Sequence, residues 1–93
     1  MIKLEVDLYA TINPNFDSIP YRLYINDELM AERDYVWDNT THYITEIVPV
    51  FLDEGPHTII IENLKPKNGS LKINTLKANG NLITLINDRE FTV

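Results

Sequence analysis

Cysteine is absent from the sequence, and glycine occurs only three times. Without cysteine neither a disulfide framework nor a thiolate metal site can form, which excludes the disulfide-stapled scaffolds of small secreted proteins and favours an intracellular origin. The three glycines, Gly55, Gly69 and Gly80, all lie in turn contexts, so a phosphate-binding glycine loop is excluded as well. Neither serine lies in a G-x-S-x-G context, which leaves nucleophilic hydrolysis little to work with.

Basic residues are also scarce, since 8 Lys and Arg face 14 Asp and Glu for a net charge of −6. Nucleic acid is therefore not expected as a partner, because that binding depends mostly on phosphate neutralisation by Lys and Arg. No apolar run approaches the roughly 20 residues that span a bilayer, and "MIKLEVDLYA" lacks the pattern of a secretion signal. We expect no membrane partner and a location in the cytoplasm or in a virion.

The charge is unevenly distributed along the chain. Residues 1–62 hold 12 acidic and 3 basic side chains, a net of −9, whereas residues 63–93 hold 2 acidic and 5 basic side chains, a net of +3. Such polarity can guide head-to-tail association of copies, but the favoured interpretation is that folding intermingles the two portions.

A length of 93 residues predicts one domain, residues 1–93. Residues 2–12 alternate strictly between apolar and polar side chains, which predicts a half-buried strand with its even-numbered face inward. Residues 13–20, "NPNFDSIP", carry turn-forming side chains and predict a loop.

The stretch "RLYINDELMAERDY" predicts a β-hairpin that turns at Asn26 and Asp27, since both residue types tolerate the positive φ of a tight turn. A second "IND" at residues 86–88 indicates the same turn used again. Residues 41–51 predict a strand in which Pro49 indicates an edge position or a bulge. Residues 58–64, "TIIIENL", predict a central strand, "KPKNGS" a loop, and "LKINTLKA", "LITLI" and "REFTV" three further strands.

No helical period occurs, and about eight strands at regular spacing predict an all-β fold, an antiparallel β-sandwich of jelly-roll-like type.

Candidate catalytic groups are few. His42 and His57 are the only side chains that ordinarily titrate near neutrality, and His57, directly after Gly55-Pro56, is better interpreted as capping a turn. Carboxylates offer a second option, either as a glycosidase pair or as a calcium site. The weak calcium candidates are Glu32, Asp34 and Asp38, with Asp53 and Glu54 as a further acidic pair. No EF-hand spacing is present, and a solvated acidic surface is the favoured interpretation.

Aromatic side chains are the strongest candidates for binding. Some of them lie opposite the apolar face of their predicted strands, where aromatic rings stack on sugars or anchor protein interfaces. The candidate binding residues are Tyr24, Tyr35, Trp37 and Tyr43, although packing in the core or between the sheets is the default interpretation for Trp37.

Three segments, "YRLYINDELMAERDY", "YITEIVPVFLDEGPHTIIIENL" and "LKINTLKANG", resemble the middle and end of jelly-roll carbohydrate-binding modules, particularly the calcium-dependent xylan-binding kind. The resemblance covers roughly residues 21–80 and implies a jelly-roll fold and polysaccharide as a partner. In that family the loop before the closing strand supplies aspartates to calcium. Here the corresponding "KPKNGS" has Lys65 and Lys67, whose charges would repel Ca²⁺.

In its small size, acidity and lack of cysteine the chain is also similar to decoration, neck and tail components of tailed bacteriophages. Together these features favour a non-enzymatic module that binds other protein subunits, as a homo-oligomer or as part of a larger virion assembly, and that needs no cofactor. The alternative is a carbohydrate-binding module that uses aromatic stacking, with or without calcium.

Overall fold

A computed structural model of the chain describes residues 1–36 and 43–93. These residues form eight strands and one turn of 3₁₀ helix, Pro66–Asn68. Among the residues described, no helix is long and apolar enough to cross a membrane. The strands are β1 (Ile2–Ile12), β2 (Ser18–Ile25), β3 (Glu28–Val36), β4 (Tyr43–Val50), β5 (Pro56–Asn63), β6 (Gly69–Ala78), β7 (Asn81–Ile83) and β8 (Glu90–Thr92).

The strands form two four-stranded sheets in which all neighbours are antiparallel. The first sheet has the order β4-β1-β6-β7, and the second has the order β3-β2-β5-β8. The predicted all-β antiparallel sandwich of about eight strands is thus confirmed. Only the β2–β3 and β6–β7 hairpins stay within one sheet, and every other connection crosses to the opposite sheet.

The core lies between the two sheets, and in β1, β2 and β4 it is built by strict alternation along the strand. In β1 the even-numbered residues Leu4, Val6 and Leu8 are fully buried, as their period-2 pattern predicts. Leu76 of β6 joins them from the same sheet, and the opposite sheet contributes the other large buried side chains, which are Ile19, Tyr21, Leu23, Ile25, Ile59 and Phe91.

Tight turns set the register of the hairpins. Asn26 and Asp27 both have positive φ, 50° and 65°, and Asn87 and Asp88 repeat this with 52° and 59°. Positive φ at both central residues is the requirement of the type I′ turn, whose twist matches that of the flanking strands. The prediction that the two "IND" stretches are one turn solution used twice is therefore confirmed.

Some predicted boundaries are wrong. β2 begins at Ser18 and not after the predicted loop of residues 13–20, because Pro20 faces outward and Ile19 faces the core, so the segment continues the alternation of β2. Gly69 and Ser70 belong to β6 and not to a loop. The strand predicted over "LITLI" is shorter, since β7 ends at Ile83.

Three of the four edge strands have features that oppose pairing with a further strand. On one side the edge strands β7 and β8 have only three residues each. On the other side Pro49 lies in edge strand β4, as predicted. Pro49 lies opposite Lys3 of β1, whose backbone N–H and C=O both bond Asn79 and so point away from β4. In an antiparallel pair of this kind the backbone nitrogen of Pro49 points to the free edge. Proline thus removes a hydrogen-bond donor that a further strand could use.

Candidate functional site

The outer face of the second sheet, called the Tyr24 face, carries an apolar row across three strands. Tyr24 of β2 lies opposite Leu29 of β3 and Ile60 of β5. Leu29 is 49% exposed and Ile60 is 37% exposed, while Tyr24 is half-buried between them. Tyr24, Ile60 and Glu62 also line a shallow depression with Asp27 at its rim. This predicted binding residue is thus on the surface.

A charged row lies next to the apolar row. Arg22 is opposite both Glu32 and Glu62, with its Nε 2.8 Å from Glu32 Oε2 and its Nη1 3.6 Å from Glu62 Oε1. The Tyr24 hydroxyl donates to Glu62 Oε1 at 3.4 Å. The hydrogen bond that Arg22 donates to Glu32, and then its interaction with the Tyr24 hydroxyl, hold the pKa of Arg22 above its usual range. The row therefore holds its three charged groups in fixed positions beside Tyr24.

Two of the three calcium candidates, Glu32 and Asp34, lie among the described residues. Glu32 and Asp34 share the outer side of β3, but Glu32 is already bonded to a guanidinium. Asp38 lies outside the described residues. Within residues 1–36 and 43–93 no group of three His, Cys, Asp or Glu side chains is placed to hold a metal ion.

Of two further predicted aromatic anchors, Tyr35 is buried and Trp37 lies outside the described residues. Tyr35 is only 2% exposed, because its position in β3 opposite Ile19 turns it toward the core. Its interpretation as a surface anchor is wrong, and it packs between the sheets instead. Trp37 lies outside the described residues, as does His42.

Tyr43 lies on the outer face of the first sheet, called the Tyr43 face. It is 50% exposed and packs against Tyr9 of β1, with ring centroids 5.1 Å apart and the rings tilted by 60°. The ammonium of Lys72, on β6, lies 5.7 Å from the centre of the Tyr9 ring. An aromatic pair with a cation beside it is thus presented on the open side of the sheet.

Polar groups continue the Tyr43 face along the sheet. Thr45 donates a hydrogen bond to Asp7 at 2.9 Å, and Thr75 lies opposite Asp7 on the other side. The next row runs through Ile47, Glu5, Lys77 and Leu82, with an exposed apolar side chain at each end. This face therefore offers both stacking surface and hydrogen-bonding groups.

The buried carboxylate of Glu46 links the two sheets, and it was not among the residues that the sequence pattern singled out. Glu46 of β4 is 5% exposed and accepts hydrogen bonds from the Tyr21 hydroxyl and from Arg33 Nε, which lies 3.1 Å and 3.2 Å from its two oxygens. Burial, and then the bond to Glu46, raise the pKa of Tyr21 far above its ordinary value. The available signal was the register of β4, where Glu46 occupies an inward position between Ile44 and Val48.

His57 joins two turns and is fully engaged. Its Nε2 lies 2.7 Å from the carbonyl oxygen of Asp53, and its Nδ1 lies 2.9 Å from Nδ2 of Asn26. A carbonyl oxygen only accepts, so Nε2 carries the proton, and Nδ1 accepts from the Asn26 amide. This is the turn-capping role predicted for His57, and it leaves neither ring nitrogen available as a base.

The comparisons with known proteins found no matching family model, no matching curated protein and no matching solved structure.

Proposed function

We propose that the protein is a non-enzymatic binding module that acts as a structural subunit of a larger protein assembly. The class of assembly that fits best is the virion of a tailed bacteriophage, with the chain as a decoration, neck or tail component. The observation that supports this proposal is the exposed apolar row formed by Leu29, Tyr24 and Ile60 on the Tyr24 face. Apolar rows bordered by charged groups are typical of protein interfaces.

The Tyr24 face has the composition that favours protein contacts. Tyrosine and arginine are enriched among the residues that dominate interface energies, and here Tyr24 and Arg22 are neighbours on one strand. Arg22 is held by Glu32 and Glu62, so little side-chain entropy is lost when a partner covers it. Three of the four edge strands oppose strand pairing, which favours the broad faces as the surfaces for assembly.

Sedimentation velocity over a wide concentration range tests this proposal. We expect the wild-type chain to form species heavier than 10.8 kDa as concentration rises, and a Leu29→Ser/Ile60→Ser variant to remain a monomer. Phe51→Ser is the matched control, because Phe51 is 79% exposed but lies outside both faces. A wild-type chain that stays monomeric throughout, or a row variant that assembles like the wild type, would contradict the proposal. Neighbouring genes for capsid and tail proteins would support the virion as the assembly.

A carbohydrate-binding module is the second candidate, favoured by the Tyr43 face. Tyr9 and Tyr43 supply stacking surface, and Asp7 and Thr45 supply polar groups for sugar hydroxyls. Affinity electrophoresis in gels that contain xylan or other polysaccharides tests it. Retardation that Tyr43→Ala abolishes and Tyr24→Ala preserves would support sugar binding, whereas unchanged mobility in every polysaccharide would contradict it.

A further inference from the structure

The two broad faces of the sandwich differ in charge. On the Tyr43 face three lysines (Lys3, Lys72 and Lys77) stand against two carboxylates (Glu5 and Asp7), a net charge of +1. The Tyr24 face has one arginine, Arg22, and four carboxylates, which gives a net charge of −3. The carboxylates are Glu32, Asp34, Glu62 and Glu90. The uneven charge of the sequence thus becomes, in part, a difference between faces.

Several of these charges have no ionic partner in the described part of the chain. Lys72 and Lys77 form no ion pair within 4.0 Å there, and neither do Asp34 and Glu90. Asp7 on the Tyr43 face likewise forms no ion pair there, so the unpaired charges sum to +1 on the Tyr43 face and to −2 on the Tyr24 face. The Tyr24 face of a second copy offers carboxylates to Lys72 and Lys77, and the Tyr43 face of a second copy offers lysines to Asp34 and Glu90.

The faces also match in size and in apolar content. The molecule measures 44 × 24 × 22 Å, so one face offers about 1,000 Å², against the ~800 Å² per partner that a standard stable interface buries. Ile47 and Leu82 are 58% and 71% exposed on the Tyr43 face, and the row through Tyr24 is their counterpart on the other face. Each face therefore has apolar anchors and complementary charge.

We propose that the protein self-assembles by stacking, with the Tyr43 face of one copy docked on the Tyr24 face of the next. This inference rests on the proposed function and specifies its partner as a second copy of the chain. The contact is heterologous, because two different surfaces meet, so a dimer still has one free Tyr43 face and one free Tyr24 face. Assembly then continues beyond the dimer into a ring or a filament, whereas a contact between two identical faces stops at a dimer.

Charge reversal of one face at a time tests the stacking. Lys72→Glu/Lys77→Glu changes the Tyr43 face from +1 to −3, and Asp34→Lys/Glu90→Lys changes the Tyr24 face from −3 to +1. In each variant the two faces then carry charge of the same sign. We expect sedimentation velocity to show self-association at least about tenfold weaker for either variant, because like charges oppose each other across the contact.

Two recombination experiments separate the interface from general charge effects. A mixture of the two variants is expected to co-assemble, since each then meets a face of opposite sign. The chain with all four substitutions carries faces of −3 and +1, keeps the net charge of −6, and is expected to self-associate within about threefold of the wild type. Lys65→Glu/Lys67→Glu, at the Pro66–Asn68 turn and off both faces, matches the first variant in net charge and is expected to assemble normally.

The failures of the two proposals differ. Assembly that survives reversal of the Tyr43 face, or that stops at a dimer, would overturn the stacking while leaving the proposed assembly function in place. A chain that remains monomeric at every concentration would overturn both. A four-substitution chain that folds, by its circular dichroism spectrum, but fails to assemble would also overturn the stacking.

Discussion

The hydroxyl of Tyr21 on the second sheet donates a hydrogen bond to the buried carboxylate of Glu46 on the first sheet. Glu46 lies on edge strand β4, and Arg33, its other partner, lies on edge strand β3 of the opposite sheet. The β3–β4 side of the sandwich is therefore closed by a charged bridge in addition to the apolar packing of Tyr35, Val48 and Val50. Inward-pointing charges on edge strands also oppose pairing with further strands, which agrees with the placement of Pro49 on the same edge.

Substitution Tyr21→Phe is expected to lower the free energy of unfolding by about 2 kcal/mol near neutral pH, because it removes a hydrogen bond to a buried carboxylate. The loss is moderate because Arg33 still bonds Glu46. Urea denaturation of the wild type and the variant measures the difference. Ile25→Val, a change in the same strand that removes only a methylene group, provides a packing control expected to cost about 1 kcal/mol.

This difference is also expected to depend on pH. The pKa of Tyr21 is raised in the folded state by burial and then by Glu46, so above the unfolded value of about 10 the unfolded chain releases a proton that the folded chain keeps. The stabilisation is therefore complete below about pH 10 and declines as the pH rises further. Denaturation at about pH 8 and about pH 11 should show a smaller gap between the two proteins at the higher pH. An equal gap at both would contradict this assignment.

Gly69→Ala is expected to destabilise the fold by about 2 to 3 kcal/mol, since an added Cβ meets backbone on the neighbouring strand β1. The Cβ would collide with the carbonyl oxygen of Thr11 and lie 2.9 Å from the Cα of Ile12, neither of which can turn aside. Gly80→Ala is the matched control. Gly80 also has positive φ, 85°, but an added Cβ meets no atom within 4 Å, so only backbone strain of about 1 kcal/mol is expected. Equal losses in thermal denaturation would show that the close approach to β1 does not matter.

The two Asn-Asp turns are expected to respond differently to the same substitution. Asn26 accepts a hydrogen bond from the Thr58 N–H at 3.0 Å and donates to His57, whereas Asn87 has no side-chain hydrogen bond with the described residues. Asn26→Gly should therefore cost about 1 to 2 kcal/mol, while Asn87→Gly should be neutral or stabilising, because glycine adopts positive φ without strain. Thermal denaturation of both variants measures this contrast, and equal effects would mean that the Asn26 bonds contribute nothing to stability.

The sequence predicts what depends on local patterns. Strict alternation identifies β1 with its bounds and its buried face, and the residue types that tolerate positive φ identify the Asn26-Asp27 turn. It does not predict features that depend on tertiary register. Tyr35 looks like other strand tyrosines until pairing with Ile19 places it in the core. Glu46 looks like a surface carboxylate until Tyr21 and Arg33 arrive from the opposite sheet.

The same limitation applies to the calcium candidates, whose proximity in sequence does not show what else they bind. Glu32 is bonded to Arg22, so a cation there would have to compete with a guanidinium at 2.8 Å. Ca²⁺ takes six to eight oxygen ligands, and Asp34 is the only other candidate on the described part of β3. We therefore expect millimolar Ca²⁺ to leave the melting temperature within about 1 °C of its value in Mg²⁺.

The measurement is decisive because a real site would have a large effect. A ligand at 100 times its Kd stabilises the native state by about 2.7 kcal/mol, which corresponds to a rise in Tm of roughly 10 to 20 °C for a domain of this size. A saturable rise of that order with Ca²⁺, absent with Mg²⁺ and lost in Asp34→Asn, would contradict the prediction. It would also favour the carbohydrate-binding alternative over protein assembly, because the resembling modules depend on calcium and the stacked arrangement does not need it.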